Sequence, residues 1–164
     1  MPPSLSPLRL VLDTNVWLDW LVFDDPRIAA LRNAVDAGRA EIVISPACDA
    51  ELERVLSYPF RRHAPLPEAR RVACLEQART IARRPDTSSP ATGPALPACR
   101  DRDDQKFLEL ARDAQADMLV SRDEALLLLG RGTRRSLPFR IVAPSALATL
   151  FDAAPACSDT PHCA

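Results

Sequence analysis

Leu8-Arg9-Leu10-Val11-Leu12-Asp13-Thr14-Asn15-Val16 is a short apolar run that ends abruptly on a carboxylate. With Pro2, Pro3 and Pro7 in front of it, the run is too short for a helix and reads as a buried strand. Asp13 then stands at the carboxyl end of that strand. In an open parallel sheet this edge is where ligands bind, because the loops leaving the strands converge there and leave a crevice.

Outward from this strand the chain alternates between helical and extended patterns. Thr14 to Phe23 (TNVWLDWLVF) is an apolar segment of short-helix length, and Asp24-Asp25-Pro26 stops it and caps the next helix with Pro26 at its first position. Ile28, Leu31 and Val35 recur at helical spacing until Gly38 ends that helix, and Glu41-Ile-Val-Ile-Ser45 reads as a second buried strand. Ser45 is the expected cap of a helix from Ala47 to about Ser57, with Pro46 at its first position and Tyr58-Pro59 closing it. Pro67 to Arg84 reads as a long helix with a row of arginines along one side. That row is either a solvated face or a contact for substrate phosphate.

Pro85 to Pro97 (PDTSSPATGPALP) has loop or connector composition. Beyond Cys99-Arg-Asp-Arg-Asp-Asp104, the residues Phe107, Leu108, Ala111 and Ala114 mark an amphipathic helix, and Asp117-Met-Leu-Val-Ser121 marks a third strand. Arg122-Asp123 is a turn, Glu124 to Gly130 a short apolar helix, and RGTRR at 131–135 a basic loop. A fourth strand at Phe139-Arg-Ile-Val142 and a helix from Pro144 to about Ala153 close the pattern. This alternation predicts an α/β sandwich with a mostly parallel central sheet and right-handed crossovers. The expectation is one domain over residues 1–153, followed by a disordered tail at 154–164.

The 164 residues, 47% of them apolar, suit a single core, and a formal net charge of -1 argues against gripping nucleic acid by bulk charge. The cations are arginines apart from Lys106, which suits phosphate recognition by the planar guanidinium as well as it suits a compositional habit. Cys48, Cys74, Cys99, Cys157 and Cys163 show no C-x-x-C spacing, so reduced thiols are expected, and His63 and His162 lie by no Cys pair at zinc spacing. Without a signal-like leader or an apolar run of about 20 residues, the expected location is the cytoplasm, with no membrane partner.

Two strands deliver aspartates at or just past their carboxyl ends, Asp13 and Asp123, while Asp101, Asp103 and Asp104 cluster where the helix before the third strand begins. Right-handed crossovers bring that helix start to the same edge of the sheet, and Glu51 can lean over the same opening. Singly, Asp103 or Asp104 reads equally as an N-cap, Asp123 as the cap of the short helix after it, and Glu51 as a surface charge. Asp13 resists such a reading, because a carboxylate on the end of a buried strand is costly unless paired. Together the acids repel and need a counter-charge. On this reading no histidine or lysine supplies one, so the simplest solution is a hard divalent cation, Mg²⁺ or Mn²⁺, held by oxygen ligands. Such an ion activates water and polarises a phosphodiester.

Four segments in this order, LVLDTNVWL, SPACDAELERVLSYP, CRDRDDQKFLELA and ADMLVSRDEALL, followed by IVAPSAL, resemble the PIN-domain nucleases. The likeness is to the single-domain bacterial toxins of toxin–antitoxin pairs, often called VapC-like. The resemblance implies a three-layer α/β/α sandwich and a metal-dependent endoribonuclease with Asp13, Glu51, Asp104 and Asp123 as its acidic quartet. It implies Asp13, Asp104 and Asp123 as metal ligands, with Asn15 and Ser121 as supporting polar groups and Asp101 and Asp103 as near alternatives to Asp104. The partners it implies are RNA, an antitoxin protein and a second copy of the chain. The Pro-rich insertion and the mildly acidic balance depart from the simplest members.

Two other readings compete. A phosphotransfer protein also gathers acids around Mg²⁺ at strand ends, but the phosphatase pattern places a second Asp where Asn15 stands, and both phosphotransfer types use a lysine later than Lys106. A catalytically weak relative would bind RNA or a partner protein without cutting.

Overall fold

The computed structural model describes residues 6–60, 64–85, 93–132 and 137–152. Strand β1 (Leu8–Leu12) is followed by α1 (Thr14–Leu21), a 3-10 turn at Pro26–Ile28, α2 (Ala29–Asp36), β2 (Ala40–Val43), α3 (Pro46–Leu56), α4 (Glu68–Ile81) and β3 (Ala82–Arg83). A second 3-10 turn at Arg102–Asp104 leads into α5 (Gln105–Asp113). Strand β4 (Met118–Val120), α6 (Glu124–Arg131), β5 (Arg140–Val142) and α7 (Pro144–Asp152) complete the order. The sheet runs β3-β2-β1-β4-β5, every pairing is parallel, and helices complete a three-layer α/β/α sandwich.

Local chemistry accounts for the element ends. The Ser45 hydroxyl accepts from the Cys48 N–H at 3.2 Å with Pro46 at the first position of α3, and Asp25 caps the turn that opens on Pro26. Helix α2 stops at Gly38, whose φ of +68° suits a residue without Cβ. Its N–H donates to Val35 and that of Arg39 donates to Ala34, which closes the helix in a Schellman turn.

The sequence reading extends the long helix to Arg84 and contains four strands; the described residues form five. Helix α4 ends at Ile81, and Ala82–Arg83 pairs with Ile42–Val43. Pro85 disfavours the helical region for Arg84, and the otherwise open edge of β2 gains partners, including the Ile44 N–H donated to the Arg83 carbonyl at 3.0 Å. The arginine row is neither simply solvated nor directed at the acidic end of the sheet. Arg79 forks the buried Asp49 carboxylate of α3 at 3.0 and 3.1 Å and Arg84 reaches it at 3.1 Å, while Arg70 donates to the Leu21 carbonyl at 3.1 Å. The basic loop falls partly, and the expected tail wholly, outside the described residues.

Strand β1 lies between β2 and β4. The chain moves outward from β1 through β2 to β3, then returns to lay β4 on the other side of β1, so the direction of winding reverses between β1 and β4. Leu10, Val11 and Leu12 are buried against Leu119 and Val120 of β4 and against α5, which contributes Phe107, Leu108 and Ala111. Leu108 is completely enclosed. Leu108→Ala should therefore cost about 3 kcal/mol through lost burial and the cavity left behind, read as a lower urea midpoint with an unchanged slope.

Candidate active site

The reversal between β1 and β4 fixes where the acids meet. Asp13 directly follows β1, and its N–H continues the ladder by donating to the Val120 carbonyl at 3.0 Å. Its side chain is 3% exposed. One carboxylate oxygen accepts from the Val16 N–H at 2.8 Å, capping α1, and the other accepts a short hydrogen bond from the Ser121 hydroxyl. The Ser121 oxygen accepts in turn from the Asp123 N–H at 2.9 Å. Ser121 thus ties the carboxyl end of β1 to that of β4. Burial raises the carboxyl of Asp13, against the lowering effect of these donors and of the Arg122 charge.

Asp123 caps α6 by accepting from the Leu126 N–H at 3.0 Å. Asp101 caps the 3-10 turn before α5 by accepting from the Asp103 N–H at 2.9 Å. Asp104, half-buried at the start of α5, is pushed up to about 6, first by burial and then by the charges of Asp101, Asp123, Asp13 and Asp103. Cys99 reports the same field. Its thiol is held at about 11 by burial and by Asp104, Asp101, Asp123 and Glu109, which leaves it protonated and inert near neutrality. Asp13, Asp101, Asp103, Asp104 and Asp123 therefore share one electrostatic neighbourhood. Asn15 is exposed on the first turn of α1.

Glu51 reaches the rim of this crevice from α3, where one carboxylate oxygen accepts from the Thr14 hydroxyl at 2.9 Å. Its other oxygen is in close contact with the Lys106 ammonium. This overturns the expectation that no lysine neutralises the acids: Lys106 sits two residues after Asp104, and α5 carries it against α3. Thr14, Lys106 and Arg122 are the groups the sequence reading missed. Thr14 directly follows Asp13, and Lys106 is the single lysine in the chain. Arg122, which stands between Ser121 and Asp123, turns to the buried Asp19 of α1 at 2.8 Å.

Among the described residues no group of three His, Cys, Asp or Glu side chains closes round one point. Asp13, Asp104 and Asp123 are thus neighbours but not an assembled set of direct ligands. Asp13 and Asp123 are each engaged instead by local N–H and O–H donors. The donors are nevertheless all oxygen, and the charge that lifts Asp104 is what a divalent cation would relieve. The residues fit a hard ion that keeps several waters and takes one or two carboxylates, the habit of Mg²⁺, better than a full protein cage.

The fold and the acids define an α/β protein with an anionic crevice at the switch point of a parallel sheet. The chain matches the PIN domain over residues 9–125 and belongs to that family, whose members are generally nucleases that use divalent metal ions. No curated protein matches the chain.

Burial and like charge make Asp104 a pH-dependent cost in the metal-free protein. Between about pH 4 and pH 6 the unfolded chain releases this proton while the folded chain keeps it, so stability falls as pH rises through that window. Asp104→Asn should match the parent below about pH 4 and exceed it by about 1 kcal/mol above pH 6, the full shift being discounted for solvent screening. Urea titrations in chelator at the two ends of the window measure the difference.

Proposed function

We propose that the protein is an endoribonuclease dependent on Mg²⁺ or Mn²⁺, with residues 1–153 as its one domain. The observation that carries the proposal is the shared neighbourhood of Asp13, Asp104 and Asp123 at the β1/β4 switch point, where burial first and then the neighbouring acids raise Asp104. Asp13, Asp104 and Asp123 would hold the ion directly or through water. When bound there, the ion would neutralise the acids, polarise the phosphodiester and acidify water.

The chain's own residues do the rest. Ser121 fixes the Asp13 carboxylate, and the Val16 N–H fixes its orientation. Thr14 and Lys106 hold Glu51, whose oxygens keep further lone pairs to orient the attacking water. In the reaction the water oxygen forms a bond to phosphorus as the bond to the leaving oxygen breaks. The water proton passes towards Glu51 and on to solvent, and the leaving oxygen takes up a solvent proton. One end carries a phosphate monoester and the other a hydroxyl.

RNA as substrate and a role as the toxin of a toxin–antitoxin pair rest on the likeness of the LDTN, DRDDQKFL and VSRD segments to the VapC-like group. That role brings an antitoxin protein and a second copy of the chain as partners and the cytoplasm as the place of action. No helix among the described residues is long and apolar enough to cross a membrane. A second reading, a module that binds RNA or a partner without cutting it, is favoured by the engagement of Glu51 with Lys106.

Incubation of labelled RNA and DNA with Mn²⁺ separates the readings: cleavage of RNA supports the first, and its absence supports the second. Asp13→Asn should abolish metal-dependent RNA cleavage while leaving thermal unfolding nearly unchanged, because an asparagine oxygen still caps α1. Cleavage retained in the purified variant would remove Asp13 from the site.

A further inference from the structure

The positive charge of this crevice is distributed unevenly. On the side of Asp13, Asp101, Asp104 and Asp123, Arg122 is committed to Asp19, which is 3% exposed, and Arg100 and Arg102 are exposed to solvent. On the side of Glu51 a cation is already in place. Lys106 stands on the first turn of α5 with its ammonium against Glu51 and 5.4 Å from the centre of the Phe107 ring. The Glu51 side chain is only 14% exposed and that of Lys106 only 22%, so solvent screens the pair weakly. The second Glu51 oxygen is taken by Thr14, and Arg54 adds a further charge at 4.0 Å.

Two-ion schemes for phosphodiester cleavage place cations about 4 Å apart to stabilise the attacking and leaving oxygens together. A second divalent ion beside Glu51 would have to approach a resident ammonium. That repulsion is not offset by any free charge on Glu51.

We infer that Lys106 is the built-in second cation of the site: the crevice takes one divalent ion on the Asp13, Asp104 and Asp123 side, and the Lys106 ammonium meets the scissile phosphate from the Glu51 side. The inference rests on the nuclease reading and deepens it. Lysine suits the position because its compact head carries three rotatable donors on a flexible stem and acts on phosphate as a point charge.

Titration of the full chain with Mn²⁺, followed by electron paramagnetic resonance of the free ion, tests this directly. The wild-type chain should bind one Mn²⁺. Lys106→Gln and Lys106→Met, the latter keeping an apolar stem over Phe107, should bind the first ion several-fold more tightly and gain a weaker second one, which Glu51→Gln in the same chain removes. RNA cleavage at saturating Mn²⁺ should nonetheless fall at least about tenfold in both variants. Lys106→Arg should recover part of it.

Tighter metal with slower cleavage is the signature of a competing cation. A merely structural lysine would weaken both, and that result overturns the inference. Two Mn²⁺ of similar affinity in the wild-type chain overturn it as well while leaving the nuclease reading standing, and this measurement needs no variant. Absence of Mn²⁺ binding in the wild-type chain removes both.

Discussion

The Asp13 carboxylate, buried at the end of the central strand, is the constraint on which the rest of the site depends. A charge in that position is tolerated only with its oxygens satisfied. The donors come from two directions, the first turn of α1 and the Ser121 hydroxyl at the end of β4. The second is the more consequential, because the same hydroxyl oxygen accepts the Asp123 N–H and so fixes the start of α6 relative to β1. One buried acid thereby sets the separation of two strand ends and the placement of a second acid. The hydrogen bond from the Asp13 N–H to Val120 holds the register in which this is possible.

Arginines elsewhere in the molecule are spent on acids away from the crevice. Arg79 and Arg84 clamp Asp49 between α3 and the end of α4, Arg122 pairs with Asp19, and Arg9 with Glu41. This leaves the strand-end acids to act on one another, and their charges add to burial in lifting Asp104 and the Cys99 thiol together. A near-neutral chain can therefore carry a strongly anionic crevice. Net charge describes how the protein meets a polyanion at long range, whereas the local field decides what the crevice can hold.

Much of this was legible because it is written locally. The apolar run of β1, the Ser45-Pro46 and Asp25-Pro26 starts and the Gly38 stop each need only a few neighbouring residues, and the structure places them within a residue or two of where the pattern does. What escaped is non-local. Strand β3 is two residues long and has no periodicity of its own; its extended shape comes from the edge of β2 and from Pro85. The contact of Lys106 with Glu51 joins residues far apart in the chain, through the packing of α5 on α3. The charge balance of the site therefore could not be summed from motifs. The cap made by Asp123 was legible singly, whereas Asp104 begins α5 without a side-chain cap, and the field the acids make together was not legible from any one of them.

Capping and ligation are commonly weighed as rival explanations for an aspartate at a helix start, and here they are not rivals. Asp13 opens α1, Asp101 caps the turn that runs into α5, Asp104 begins α5 and Asp123 opens α6. Each helix start presents N–H groups and the positive end of its dipole, equivalent to roughly half an elementary charge. Three such ends facing one crevice offset part of the repulsion among acids that would otherwise drive the loops apart before any ion arrives. A carboxylate oxygen that accepts one N–H retains a second lone pair, so the cap that holds the acid does not consume its capacity to bind. The caps are what allow the anionic crevice to persist as part of a folded protein. The same helix starts direct the carboxylates to one edge of the sheet.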